Sequence, residues 1–139
     1  MRRRIAVVSA LSAAMFSLFG AVPALAAADA EIDVLWAVRV ARGAAVDVSY
    51  GLSCPAGYNA TVTVTLNQVR NDGLRASGTV TEDVTCTGAP FLEMARVTAK
   101  ITGAPFQPRK ATLAILATGC DDQDCFAVPV NQEIQVQNL

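Results

Sequence analysis

Between residue 31 and the C-terminus, apolar side chains recur at every second position in one segment after another. A chain with that period buries one face of each segment, so it folds as strands rather than helices. Ile32, Val34, Trp36, Val38 and Val40 share one phase, Val46, Val48, Tyr50, Leu52 and Cys54 the next, and Ala60, Val62, Val64 and Leu66 the third. Residues 74–86 are more polar and are interrupted by Gly78, which reads as an edge strand or a bent pair. Residues 91–102 predict Ala95, Val97, Ala99 and Ile101 on a buried face, with Glu93 breaking the apolar phase at its start. Residues 111–119 are apolar on both faces, as a central strand requires, and the last segment aligns Phe126, Val128, Val130, Ile134 and Val136. Pro129, on the opposite phase, predicts that this last strand lies at an edge.

The turn chemistry agrees with that division. Gly43, Pro55 with Gly57, Asn71 with Gly73, Gly88 with Pro90, and Gly103 with Pro105 separate the segments, supplying positive φ or a fixed φ of about −65°. No stretch after the leader has helical spacing with caps. The expected fold is all-β: a single immunoglobulin-like antiparallel β-sandwich of about seven strands. An all-β barrel is the alternative.

The first 26 residues read as a secretory signal peptide and are set apart from fold reasoning. Arg2, Arg3 and Arg4 form a basic start, residues 5–22 an apolar run, and Ala24-Leu25-Ala26 a small-x-small cleavage site. A spanning helix needs roughly 20 apolar residues, and here Ser9, Ser12, Ser17, Gly20 and Pro23 dilute the run. Residues 27–139 then form one domain, expected to be secreted to the extracellular space with no membrane attachment once the leader is cut. That domain carries eight basic and twelve acidic residues, a net charge of −4, which is unsuited to non-specific nucleic-acid binding.

Cys54, Cys86, Cys120 and Cys125 are an even set in a chain expected to be exported, the setting in which disulfides persist. A zinc site is the rival, but there is no Cys-x-x-Cys and no histidine. Four cysteines allow three pairings. Successive strands of a sandwich usually run in alternate directions, so the loops after the second, fourth and sixth strands share one end. All four cysteines then gather at that end, which favours Cys54 with Cys86 and Cys120 with Cys125. The second pair would close a hairpin loop holding Asp121, Asp122, Gln123 and Asp124. Charge sorts the same way, with Asp29, Glu31, Asp33, Asp121, Asp122 and Asp124 at the cysteine end and Arg42, Arg70, Arg75, Arg109 and Lys110 at the other.

The absence of histidine removes the common nucleophile–base triads and the histidine metal sites, so no catalytic residue and no cofactor are expected. Asp121, Asp122 and Asp124 lack the spacing of an EF-hand calcium loop and read as a solvated acidic turn. Phe91 is expected to begin a strand and enter the core. Phe106, next to Arg109 and Lys110, is expected to pack beneath its own loop.

The runs Leu52-Ser53-Cys54-Pro55-Ala56-Gly57-Tyr58 and Val84-Thr85-Cys86-Thr87-Gly88, with the two closing cysteines, resemble small secreted actinobacterial immunoglobulin-like β-sandwich proteins of unassigned function. A weaker similarity, carried by the spacing of Cys120 and Cys125, is to the neocarzinostatin-type apoproteins, in which a sandwich holds a chromophore in a cleft beside its loops. The first cysteine pair departs from that family, where it closes a short hairpin loop. The expected function is that of a secreted, non-catalytic binding module. It would present its disulfide-held loops, residues 121–124 foremost, to a protein, glycan or envelope polymer. The alternative is a carrier of a small apolar ligand.

Overall fold

The computed structural model describes residues 29–139; the leader predicted for residues 1–26 lies outside the described residues. Seven strands follow one another: β1 (Glu31–Val40), β2 (Ala45–Ser53), β3 (Asn59–Val69), β4 (Arg75–Thr85), β5 (Phe91–Thr98), β6 (Lys110–Cys120) and β7 (Cys125–Asn138). They form one mixed sheet in the order β4-β3-β6-β7-β1-β2-β5. Every neighbouring pair is antiparallel except β1 with β7, which run parallel from Ala37 opposite Val136 to Arg39 opposite Asn138.

The sheet curls until its two edge strands, β4 and β5, approach each other and nearly close a barrel. Backbone hydrogen bonds from the segment that follows β5 tie the seam at one end. There the Lys100 N–H donates to the Ser77 carbonyl at 2.9 Å and the Ala104 N–H to the Arg75 carbonyl at 3.2 Å. Gly78 permits the approach, because a Cβ at that position would overlap the carbonyl oxygen of Thr98. The glycine that interrupts the fourth segment is thus where the two edges of the sheet meet.

The inner faces fill the core. Val46, Val48, Tyr50 and Leu52 from β2 meet Val62, Val64 and Leu66 from β3, Leu113 and Ile115 from β6, and Val136 from β7. Each large aliphatic side chain so buried contributes roughly 1.5–3 kcal/mol. Phe106 sits under the β5–β6 loop at 1% exposure, held by its N–H to the Gly43 carbonyl at 2.8 Å, and Phe91 opens β5 packed against the core. Gln68, which is also buried, fastens the same loop. Its Nε2 donates to the carbonyls of Gln107 and Arg109 at 2.9 and 3.2 Å, and its Oε1 accepts the Gln107 N–H at 2.7 Å.

Four expectations need correction, the first being that the sheet is mixed rather than antiparallel throughout, because β1 runs parallel to β7. Trp36, Val38 and Val40 do not share a face with Ile32 and Val34: an irregularity between Val34 and Trp36 shifts the register with β2, so Ala37 takes the inward place and Trp36 is 39% exposed. Ile101 is fully exposed, because the ladder of β5 ends at Thr98 and residues 100–103 form a turn closed by the Gly103 N–H to the Lys100 carbonyl. β7 is no simple edge, since its last residues pair with β1 on one side while the strand pairs with β6 on the other. Pro129 is tolerated because that stretch pairs with β6 alone, opposite Leu116, and its missing N–H leaves no gap in a second ladder.

Candidate functional site

The ends of β2, β4 and β6 and the beginnings of β1, β3, β5 and β7 meet at one end of the molecule, and both disulfides are there. Cys54 pairs with Cys86, joining the β2–β3 loop to the β4–β5 loop. The same loops exchange backbone bonds: the Cys86 N–H donates to Tyr58 at 3.0 Å and the Gly88 N–H to Cys54 at 3.1 Å. Cys120 pairs with Cys125, which are also the last register partners of the β6–β7 hairpin.

The candidate contact loop is exposed and internally fastened. The Asp121 carboxylate accepts the N–H of Gln123 at 2.8 Å and of Asp124 at 2.7 Å, which holds its pKa below the ordinary aspartate range. Asp124 accepts the Cys125 N–H through its own side chain, and the Asp121 N–H donates to the Asp124 carbonyl. Asp122 and Gln123 are exposed. Beneath the loop Tyr58 is buried against Phe126, with ring centroids 5.7 Å apart.

The register divides the charges more sharply than the sequence suggests. The cysteine half contains nine carboxylates, adding Glu82, Asp83 and Glu93 to the six anticipated, and none of the described residues there is Lys or Arg. The opposite half contains all eight basic residues of the described chain and three acids. Each of those three acids is paired: Asp72 with Arg70 at 2.7 Å, Asp47 with Arg96 at 2.7 Å and Glu133 with Lys110 at 2.8 Å. Arg39, Arg42, Arg75, Lys100 and Arg109 complete the basic end. Open clefts lie on the surface at both ends among the described residues. One of about 270 Å³ is at the acidic end, between Asn59, Thr61, Asp83 and Thr85. Another, of about 340 Å³, is at the basic end beside Arg75 and Lys110.

Sequence reasoning passed over two further features. Trp36 and Met94 flank Ser49 on the outer face of β1, β2 and β5, where they cover that serine to 7% exposure. Tyr50 is completely buried and its hydroxyl has no hydrogen-bond partner. The alternation identifies Tyr50 as inward-facing, but the polarity of its surroundings depends on strands far away in the chain. Among the described residues no group of three or more Cys, Asp or Glu is placed to hold a metal ion, and no helix is long and apolar enough to cross a membrane.

The chain matches no family model and no curated protein. Among solved structures, the ApaA protein from Bordetella pertussis is 10% identical with a TM-score of 0.48, over 79% of this chain and 95% of that one. The alkylpurine DNA glycosylase AlkC from Pseudomonas fluorescens is 13% identical with a TM-score of 0.39, over 77% of this chain and 30% of that one. The sporulation control protein Spo0M from Bacillus subtilis is 14% identical with a TM-score of 0.35, over 80% of this chain and 49% of that one. This chain therefore spans less than half of AlkC and about half of Spo0M, and likenesses of this degree carry no statement about its activity.

Proposed function

We propose that the chain is a secreted, non-catalytic interaction module built on an immunoglobulin-like β-sandwich, and that its disulfide-held acidic end contacts a cationic partner. The carrying observation is the division of charge: nine carboxylates without a basic neighbour in one half, and in the other half three acids that are each ion-paired. Charge placed only for solubility is interspersed, whereas a single-sign end steers an oppositely charged partner. The partner class is a basic protein segment or an amine-bearing polymer of the cell envelope.

Three observations support the other parts of the reading. The strand order supports the sandwich if the sheet is divided at β7, with β1, β2 and β5 in one layer and β4, β3, β6 and β7 in the other. The leader pattern and the two disulfides support export. The lack of histidine and the oxidised state of all four cysteines support a role without nucleophilic chemistry.

The test is NMR titration of the folded protein with a lysine-rich peptide at low and high salt. Shifts confined to residues 54–58, 86–90 and 121–124, weakened by salt and by the triple variant D121N/D122N/D124N, are expected. Shifts that map to the basic end, or that persist in the triple variant, would overturn the reading. A carrier predicts a co-purifying mass released on denaturation, which native mass spectrometry reads directly.

A further inference from the structure

The seam between β4 and β5 is hydrogen-bonded at the basic end through Ser77 and Arg75. No strand register joins the two edges farther along. Toward the cysteine end each edge strand turns a glutamate inward. Glu82 follows Ala76, Gly78 and Val80 on the inner phase of β4, and Glu93 precedes the buried Ala95 and Val97 on the inner phase of β5. Both are half-buried, and no described basic residue pairs with either. Tyr50 is the direct register partner of Glu93 on the same inner face, fully buried with its hydroxyl unpartnered.

We propose that the open end of this seam is a cation site, in which the carboxylates of Glu82 and Glu93 and the hydroxyl of Tyr50 bind a divalent metal ion of the calcium type. Three oxygen groups and no nitrogen or sulfur are a hard ligand set, which suits calcium rather than zinc or copper. Water completes the six to eight oxygens that calcium takes. Inward charges on edge strands also guard against edge-to-edge aggregation, but that task needs no phenol. Phenylalanine would fill the place of Tyr50 without burying a hydroxyl that finds no partner.

The electrostatics agree with the geometry. Burial and the neighbouring Glu93 raise the Glu82 pKa, and burial with both glutamates raises that of Tyr50, so the phenol is a neutral oxygen at ordinary pH. Two like charges face one buried dipole, and a bound cation satisfies all three groups while drawing β4 toward β5. The site is separate from the loop of residues 121–124 and does not rest on the contact with a cationic partner.

The experiment is calorimetric titration of the disulfide-intact protein with calcium chloride, alongside terbium luminescence sensitised by tyrosine. One saturable site is expected, with a dissociation constant of roughly 0.1–1 mM, the range of extracellular calcium modules. Binding is expected to be lost in Glu82→Gln and Glu93→Gln and retained in D121N/D122N/D124N. Tyr50→Phe removes a ligand from the set, so it should weaken calcium binding by about tenfold and dim terbium emission more than Tyr58→Phe does. The proposal is overturned if the wild-type protein takes up no calcium in this range. It is equally overturned if uptake survives Glu82→Gln, or if uptake disappears with the aspartate triple variant instead. A rise in Tm for both glutamine variants, with no calcium effect on the wild type, would leave the glutamates as edge guards alone.

Discussion

The acidic and basic ends of this molecule are held together by different chemistry. At the acidic end two disulfides fasten the loops, and nine carboxylates lie there with no basic residue among the described ones. At the basic end the ties are hydrogen bonds and ion pairs. Gln68 grips the backbone of residues 107 and 109, while Arg70 donates to the Pro105 carbonyl at 3.0 Å and pairs with Asp72. A covalent tie holds whatever the surrounding charge, so the stapled end tolerates unpaired charge of one sign. At the basic end each of the three acids meets a cation, and three of the eight basic residues described there are ion-paired.

The sharpest way to break the contrast is to remove the longer staple. Cys54→Ser with Cys86→Ser should lower stability by about 3–4 kcal/mol, because the bridge closes a ring across 32 positions; denaturant titration reads the loss. Next in size is Gln68→Ala, expected to lose about 2–3 kcal/mol by leaving buried backbone groups of the β5–β6 loop without partners. Amide exchange should show the basic end opening first in that variant. Removing the Cys120–Cys125 bridge should subtract about 2 kcal/mol, less than the first bridge because its ring spans 5 positions. An equal or larger loss than for Cys54–Cys86 would refute the ring-length account.

Two acids sharpen the contrast through pH, with opposite signs. Arg96 hydrogen-bonds Asp47 and holds its pKa below 3.8. Its contribution is therefore fully present above 3.8 and is lost as pH falls through the lower folded value. Asp47 is only 10% exposed in its side chain but Arg96 is 64% exposed, so solvent screening limits the effect of Asp47→Asn to about 0.5–1 kcal/mol. Glu82 has a raised pKa, so in calcium-free buffer its charged form opposes folding at neutral pH. That penalty should disappear as pH falls through its folded value toward 4.5. Thermal melts should thus show a stability gain on mild acidification that Glu82→Gln abolishes, followed by a loss below pH 3.8 that Asp47→Asn reduces.

Much of this architecture is legible in the chain. The phases of β2 and β3 are as the alternation reads them, since Val46 to Leu52 and Ala60 to Leu66 pack inward at every second residue. Counting reversals was enough to bring four distant cysteines to one end in the pairing the structure contains. The outward turn of Trp36 was not legible, because a bulge changes no residue in the sequence and exists only relative to the partner strand. Gln68 looks like any polar residue near a strand end until the β5–β6 loop folds over it. Glu82, Glu93 and Tyr50 come from three separate strands and become a set only when the sheet curls its edges together.

What the amino-acid sequence determined by itself is local: the period of two, the turns set by glycine and proline, and the number and spacing of cysteines. These follow from backbone sterics and the burial of alternate side chains, which act within a few residues. Only the tertiary structure decided the register across the β1 bulge, the two-sided pairing of β7 and the placing of Glu82 and Glu93 on the inner phase of the two sheet edges, with the buried Tyr50 opposite Glu93. Register and electrostatic environment belong to pairs of strands distant in sequence, and no single segment carries that information.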